Sequence, residues 1–182
     1  MNFKNSQYGF AISALGVNQA MIEAEVFGDL EQVKIVGDYT GGQMWAGAGI
    51  SRGLLAVVLP LTVTKIATNS FAIDSLKRVE RTSQITLINP SAFTGAQELE
   101  SIDLRGVKTL GGNAFERCAK LETIQLPQVE TIGKECFKGD LKAEIYLNEN
   151  VQSVGEDAFI GIKHLYYNGS LPGAPWGATA WN

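Results

Sequence analysis

The stretch Leu99–Phe159, LESIDLRGVKTLGGNAFERCAKLETIQLPQVETIGKECFKGDLKAEIYLNENVQSVGEDAF, decides the reading of this chain because it repeats itself. Phe115, Phe137 and Phe159 stand 22 residues apart, and two further steps of that length lead back to Phe93 and Phe71. Five residues before each Phe stands Ile66, Ile88, Leu110, Ile132 or Val154; eight before it stands Val63, Ile85, Val107, Val129 or Val151. The residue directly ahead of the Phe is small: Ser70, Ala92, Ala114, Cys136, Ala158. Only eight Phe occur in 182 residues, so five in one register are not an accident of composition. A fixed period of this length marks a solenoid, in which each repeat is one unit that buries its apolar side only against its neighbours.

A second series, Leu-x-x-Ile-x-Leu, runs alongside. It begins at Leu30, Val33, Ile35 and continues through Leu54, Val57, Leu59, then Leu99, Ile102, Leu104, then Leu121, Ile124, Leu126. Leu141, Ile145 and Leu147 continue it with one extra residue, and Ile162, Leu165 and Tyr167 close it. The Ile-x-Leu pair has period two, which places both side chains on one face of a strand. Pro60 and Pro127 follow the last Leu directly, where a strand ends without losing a ladder donor. The Val-x-x-Ile step predicts a second short extended piece, and Gly111, Gly133 or Gly155 after it predicts a corner with positive φ. The expected fold is a mainly β solenoid with a parallel strand ladder, its coils of about 22 residues joined by short turns or 3-10 segments. With strands about 4.8 Å apart, six or seven coils give a body roughly 30 Å long, with the Phe column as a buried ladder inside.

The chain divides into an N-terminal cap or decayed first repeat over 1–29, a solenoid over 30–167 and a C-terminal capping segment over 168–182. In the first, Ile22 to Phe27 copies the Ile-to-Phe interval; the rival reading is an amphipathic helix from Ile12 to Val26 with Leu15, Met21 and Ile22 inward, weakened by Gly16. Residues 36–53 carry six Gly and stretch the repeat, with Trp45 in place of a Phe. Arg81 falls where a core Leu is expected, so its strand should fray or turn outward. Asn168-Gly169 signals a tight turn, and Trp176 and Trp181 are large enough to cover the last coil.

Fifteen basic and nineteen acidic residues give a net charge of −4 with no basic run, which argues against nucleic acid. The longest apolar runs, such as Leu54–Leu59, fall far short of the roughly 20 residues of a bilayer span, so no membrane insertion is expected. The opening MNFKNSQYGFAISALGV is a poor signal peptide: the protein is cytoplasmic, or an export signal preceded this chain. Cys118 and Cys136 occupy different repeat positions and read as free, buried thiols filling small pockets.

The stretch LESIDLRGVKTLGGNAFERCAKLETIQLPQVETIGKECF and the ending LYYNGSLPGAPWGA resemble the BspA-like leucine-rich repeats of bacterial surface proteins. The shared order is Leu-x-x-Ile-x-Leu-Pro, Val-x-x-Ile-Gly, Ala-Phe-x-x-Cys; the resemblance covers 54–177 well and 30–53 loosely. It implies a leucine-rich-repeat solenoid, displayed on a surface or secreted by host-associated bacteria, with adhesion or binding roles in a few members. It brings no catalytic residues to carry over. Asn168-Gly169-Ser170 also fits a glycosylation sequon, but in a chain that resembles bacterial proteins the turn is the stronger reading.

The residues themselves point away from an enzyme. His164 is the sole histidine, on a strand opposite Leu165, and any nucleophilic triad would have to use it without an accompanying motif. No metal set is present, since one His and two unlike Cys do not make four ligands. Gly47, Gly49 and Gly53 have the wrong spacing for a phosphate loop and lack its lysine, so no cofactor is expected. Alternating charge in FERCAKLE and FKGDLKAE reads as a solvated outer edge.

What remains is surface. The residues flanking each inward Ile and Leu should point out and stack from coil to coil. One column is Lys34, Val58, Glu80, Asp103, Gln125, Tyr146, Tyr166; the other is Gln32, Ala56, Arg78, Ser101, Thr123, Glu144, His164. Solenoids use such ladders as binding faces, and aromatic residues anchor interfaces. The sequence therefore points to a non-enzymatic module that binds a protein or glycan partner through Tyr146, His164 and Tyr166, extended by Gln125 and Asp103. The alternative is a structural spacer or assembly component without a soluble ligand.

Overall fold

The computed structural model describes residues 55–59, 61, 63–80 and 82–169, together with the backbone of 21–24 and 32–36. Its strands are β1 (Met21–Ala24), β2 (Gln32–Val36), β3 (Ala56–Val58), β4 (Lys65–Ile66), β5 (Arg78–Glu80), β6 (Leu87–Ile88) and β7 (Ser101–Ile102). They continue as β8 (Thr109–Leu110), β9 (Thr123–Leu126), β10 (Thr131–Ile132), β11 (Glu144–Leu147), β12 (Ser153–Val154) and β13 (His164–Tyr167). Two faces result. One carries β1-β2-β3-β5-β7 and then a separate ladder β9-β11-β13; the other carries β4-β6-β8-β10-β12. Every pairing is parallel except β1 with β2, which is antiparallel. From Ala56 to Tyr167 the described residues between strands form turns and short irregular pieces, and none of the described residues is helical.

The five Phe rings form the continuous buried column that their spacing predicts. Phe71, Phe93, Phe115, Phe137 and Phe159 are each at most 1% exposed. Successive centroids lie 5.4, 5.0, 5.6 and 6.3 Å apart, with planes within 20° of parallel. That is the range in which aromatic stacks are favourable. Val63, Ile66 and their counterparts in later coils close the core from the second face, and Leu59, Leu104, Leu126 and Leu147 from the first.

The two faces tolerate length differently. On the second, Ile66, Ile88, Leu110, Ile132 and Val154 pair in turn at a constant step of 22. On the first, the step is 24 from Gln32 to Ala56, 22 to Arg78 and 23 to Ser101. It falls to 21 from Thr123 to Glu144 and 20 from Glu144 to His164. A dry ring stack accepts no insertion without a void or a clash, so length variation is absorbed in the turns on either side of the first-face strands. The coil after Phe137 shows how. Its strand arrives one residue early, and the extra residue behind it is accommodated by Asn148, whose Nδ2 donates to the Leu126 and Val129 carbonyls at 2.8 and 3.0 Å.

Five details correct the sequence reading. Leu141 is not in the core: it stands 22 residues after exposed Ala119 and is 71% exposed, while Ala143 fills the place that Leu99 and Leu121 hold in earlier coils. Gly111, Gly133 and Gly155 do not adopt positive φ. They are required by close approach instead, since a Cβ at Gly133 would stand 2.4 Å from the Gly112 nitrogen of the preceding coil. The left-handed corners fall two residues before each Phe, at Asn69, Ser91, Asn113, Glu135 and Asp157, and two residues after, at Gly95, Arg117, Gly139 and Gly161. Asp140, in a segment that reads as solvated, is fully buried. Met21–Ala24 is a strand, so a helix from Ile12 to Val26 does not form there. Lastly, Ala56 and Val58, expected to face outward, are buried.

The expectations for Trp45, Arg81, Trp176, Trp181 and the rest of 1–29 and 170–182 lie outside the described residues. Cys118 and Cys136 are free and buried, as their positions in the repeat suggest.

Candidate functional site

The ladder β9-β11-β13 builds the site. Alternation sends Ile124, Leu126, Ile145 and Leu147 into the core, where each is at most 2% exposed. Their neighbours face out. The register aligns Thr123, Glu144 and His164 in one column and Gln125, Tyr146 and Tyr166 in the other. Over these three strands the columns expected from the sequence are formed, although the step between strands has shortened.

Tyr146 and Tyr166 stack with centroids 4.5 Å apart and planes 8° from parallel. His164 lies 6.1 Å from Tyr166, its ring tilted by 49°. Tyr146 is half-buried beneath its neighbour, and Tyr166 remains 43% exposed. Burial, then the neighbouring Tyr166 and Glu144, raise the Tyr146 phenol above its ordinary range, so it stays neutral.

Beside the rings, Lys163 Nζ donates to Glu144 Oε1 at 2.7 Å, and His164 Nδ1 stands 3.5 Å from the same oxygen. The Lys163 hydrogen bond holds the Glu144 carboxyl below the usual carboxylate range, and Glu144 in turn raises Lys163. Glu144 and Lys163 border a shallow open groove of about 370 Å³, lined also by Glu122, Thr123, Leu141 and Lys142.

Of the five candidate residues, the structure brings together Tyr146, His164, Tyr166 and Gln125. Asp103 stands apart. It follows β7, outside the β9-β11-β13 ladder. Its carboxylate is clamped by Arg105, with Nε at 3.0 Å and Nη2 at 2.7 Å, and that hydrogen bond chiefly lowers its pKa. Sequence reasoning missed the Glu144–Lys163 pair and the exposed Leu141. Lys163 directly precedes the last strand, so its reach to Glu144 one coil back is a signal the register contained.

Among the described residues no group of three or more His, Cys, Asp or Glu side chains is placed to hold a metal ion. None of the helices that would be needed to cross a membrane is found among them either: no described helix is long and apolar enough.

Comparison with known families matches residues 51–166 to six copies of a region described as BspA type leucine rich repeat. Similar solved structures include a leucine rich cell surface protein from Faecalibacterium prausnitzii, 18% identical with a TM-score of 0.56, over 85% of this chain and 56% of that one. A leucine rich repeat protein of T. pallidum is 20% identical, TM-score 0.56, over 82% of this chain and 80% of its own. One from Bacteroides ovatus is 21% identical, TM-score 0.56, over 82% of this chain and 40% of its own. This chain thus spans little more than half of the first of these proteins. At such identities the likeness is one of fold. No curated protein matches the chain.

Proposed function

The chain belongs to the BspA-type leucine-rich-repeat family, and from that premise we propose that it is a non-enzymatic recognition module of a bacterial surface or secreted protein. Leucine-rich-repeat solenoids generally serve protein interaction, and their stacked strands form extended faces for it. In this reading the partner, a protein or a glycan, docks on the outward columns of β9, β11 and β13.

The observation that carries the reading is the Tyr146–Tyr166 stack beside His164, with Tyr166 exposed on top. On β5 and β7 of the same face the outward positions carry charged or small side chains, Arg78, Glu80 and Ser101. Exposed rings held in one orientation give contact area with little rotamer entropy to lose, which is what an interface anchor requires. A surface setting is consistent with the Faecalibacterium protein's description as a cell surface protein.

The test is a combined array of extracellular-matrix proteins and oligosaccharides, probed with the wild type and with a Tyr146→Ala, His164→Ala, Tyr166→Ala variant. Binding lost in the variant, with its melting temperature kept, supports the reading. Binding unchanged in the variant rejects this face, and an empty array combined with self-association supports a structural component instead.

A further inference from the structure

Resting on that reading, we propose that the groove beside Tyr166 binds a neutral glycan, one pyranose lying against the Tyr166 ring with its hydroxyls on the Glu144–Lys163 pair.

Three observations select this ligand class. The first is charge. Glu122 and Glu144 are offset by Lys142 and Lys163 around one groove, so it has no net field to favour a phosphate, an acidic peptide or a sulfated chain. The second is hydrogen-bonding type. Glu144 and Lys163 already touch at 2.7 Å, which places an acceptor and a donor side by side. A hydroxyl both donates and accepts. Adjacent hydroxyls of a sugar can therefore address both partners, one donating to the carboxylate and the next accepting from the ammonium. The third is the backbone. β11 is hydrogen-bonded to β9 on one side and to β13 on the other, so its main chain has no free edge for an extended peptide to join. At Glu144 and Tyr146 recognition therefore rests on side chains.

The aromatic platform completes the fit. A pyranose presents ring C–H groups on its faces and hydroxyls at its rim. Tyr166 offers a matching apolar surface, and Tyr146 stacked beneath it fixes the ring's orientation before the ligand arrives. Exposed Leu141 lines the same groove and supplies a further apolar contact.

The experiment is saturation-transfer NMR with maltotriose, cellotriose, mannobiose and N-acetyllactosamine as neutral probes and a heparin tetrasaccharide as the acidic one. The proteins are wild type, Tyr166→Ala, and Glu144→Gln as a conservative variant that keeps the fold. We expect ring C–H signals from at least one neutral probe, weakened about thirtyfold in affinity by Tyr166→Ala and severalfold by Glu144→Gln. A signal from heparin alone, or none from any neutral probe, overturns the glycan assignment. If a protein from the array still loses binding in the triple variant, the recognition face stands and only its ligand class is wrong. Neutral-probe binding unaffected by Tyr166→Ala overturns both.

Discussion

Tyr146 and Tyr166 are 20 residues apart in the chain, two short of the repeat, yet their rings stack at 4.5 Å with planes within 8° of parallel. The match arises because register on this face is set by which side chains enter the core. Ile145 pairs with Leu165 and Leu147 with Tyr167, and a one-residue slip would turn this apolar set outward. Deletions are absorbed in the turns, so the outward columns stay aligned.

The Phe column should dominate stability. Phe115 is buried between Phe93 and Phe137, at 5.0 and 5.6 Å. Phe115→Ala should cost about 3–5 kcal/mol in urea denaturation. A loss under about 1 kcal/mol would contradict its place in the core.

Gly133→Ala tests the close approach of adjacent coils. The added Cβ meets backbone of the preceding coil, Gly112 N at 2.4 Å and Gly111 C at 2.6 Å, which no rotamer change relieves. We expect a loss of about 3 kcal/mol or more. An Ala tolerated without loss would mean that the coils sit farther apart.

Arg117 tests the corner after the Phe. It holds φ at 62° where the neighbouring coils place Gly95, Gly139 and Gly161. Its side chain is exposed, and at 3.6 Å its contact with the more covered Glu116 is long and contributes little. Arg117→Gly should therefore stabilise the fold by about 1 kcal/mol, read as a higher denaturation midpoint.

Asp140 predicts a pH dependence. It occupies the column held by Ile73, Ala96 and Cys118 in earlier coils, fully buried, with neither carboxylate oxygen hydrogen-bonded. Burial pushes its pKa from 3.8 to about 8; the Cys118 backbone opposes the shift and Glu116 adds to it. The native chain then keeps a proton that the unfolded chain releases above about pH 4. Stability should fall as pH rises between about 4 and 8, by about 1.4 kcal/mol per pH unit from this group, and level off above. Asp140→Asn should remove that slope relative to wild type in urea titrations from pH 5 to 8. Equal slopes in the two proteins would refute it.

Much of this was legible in the sequence, for a physical reason. The Phe ladder needs a strict step, so Phe71 to Phe159 announce the fold directly. The outward columns were legible because Ile124, Ile145 and Leu165 serve as landmarks even where the step shortens. Gly133 was misread because a bare glycine suits a positive φ and a tight approach equally, and only the neighbouring coil distinguishes them. Leu141 and Asp140 were misread together: they keep the places of exposed Ala119 and buried Cys118 one step of 22 earlier, so the repeat carries an apolar residue outward and a charged one inward. The site was legible as rings but not as a groove. The Glu144–Lys163 pair and the clamp of Arg105 on Asp103 depend on side-chain reach that spacing does not encode.

The most direct test of the recognition face is a titration of the 15N-labelled protein with whichever array or saccharide probe binds, followed by amide chemical shifts. The account predicts the largest changes at Thr123, Gln125, Glu144, Tyr146, His164 and Tyr166, with the opposite ladder around Thr109 and Thr131 undisturbed. Changes centred on that opposite ladder, with the tyrosine strands silent, would contradict it.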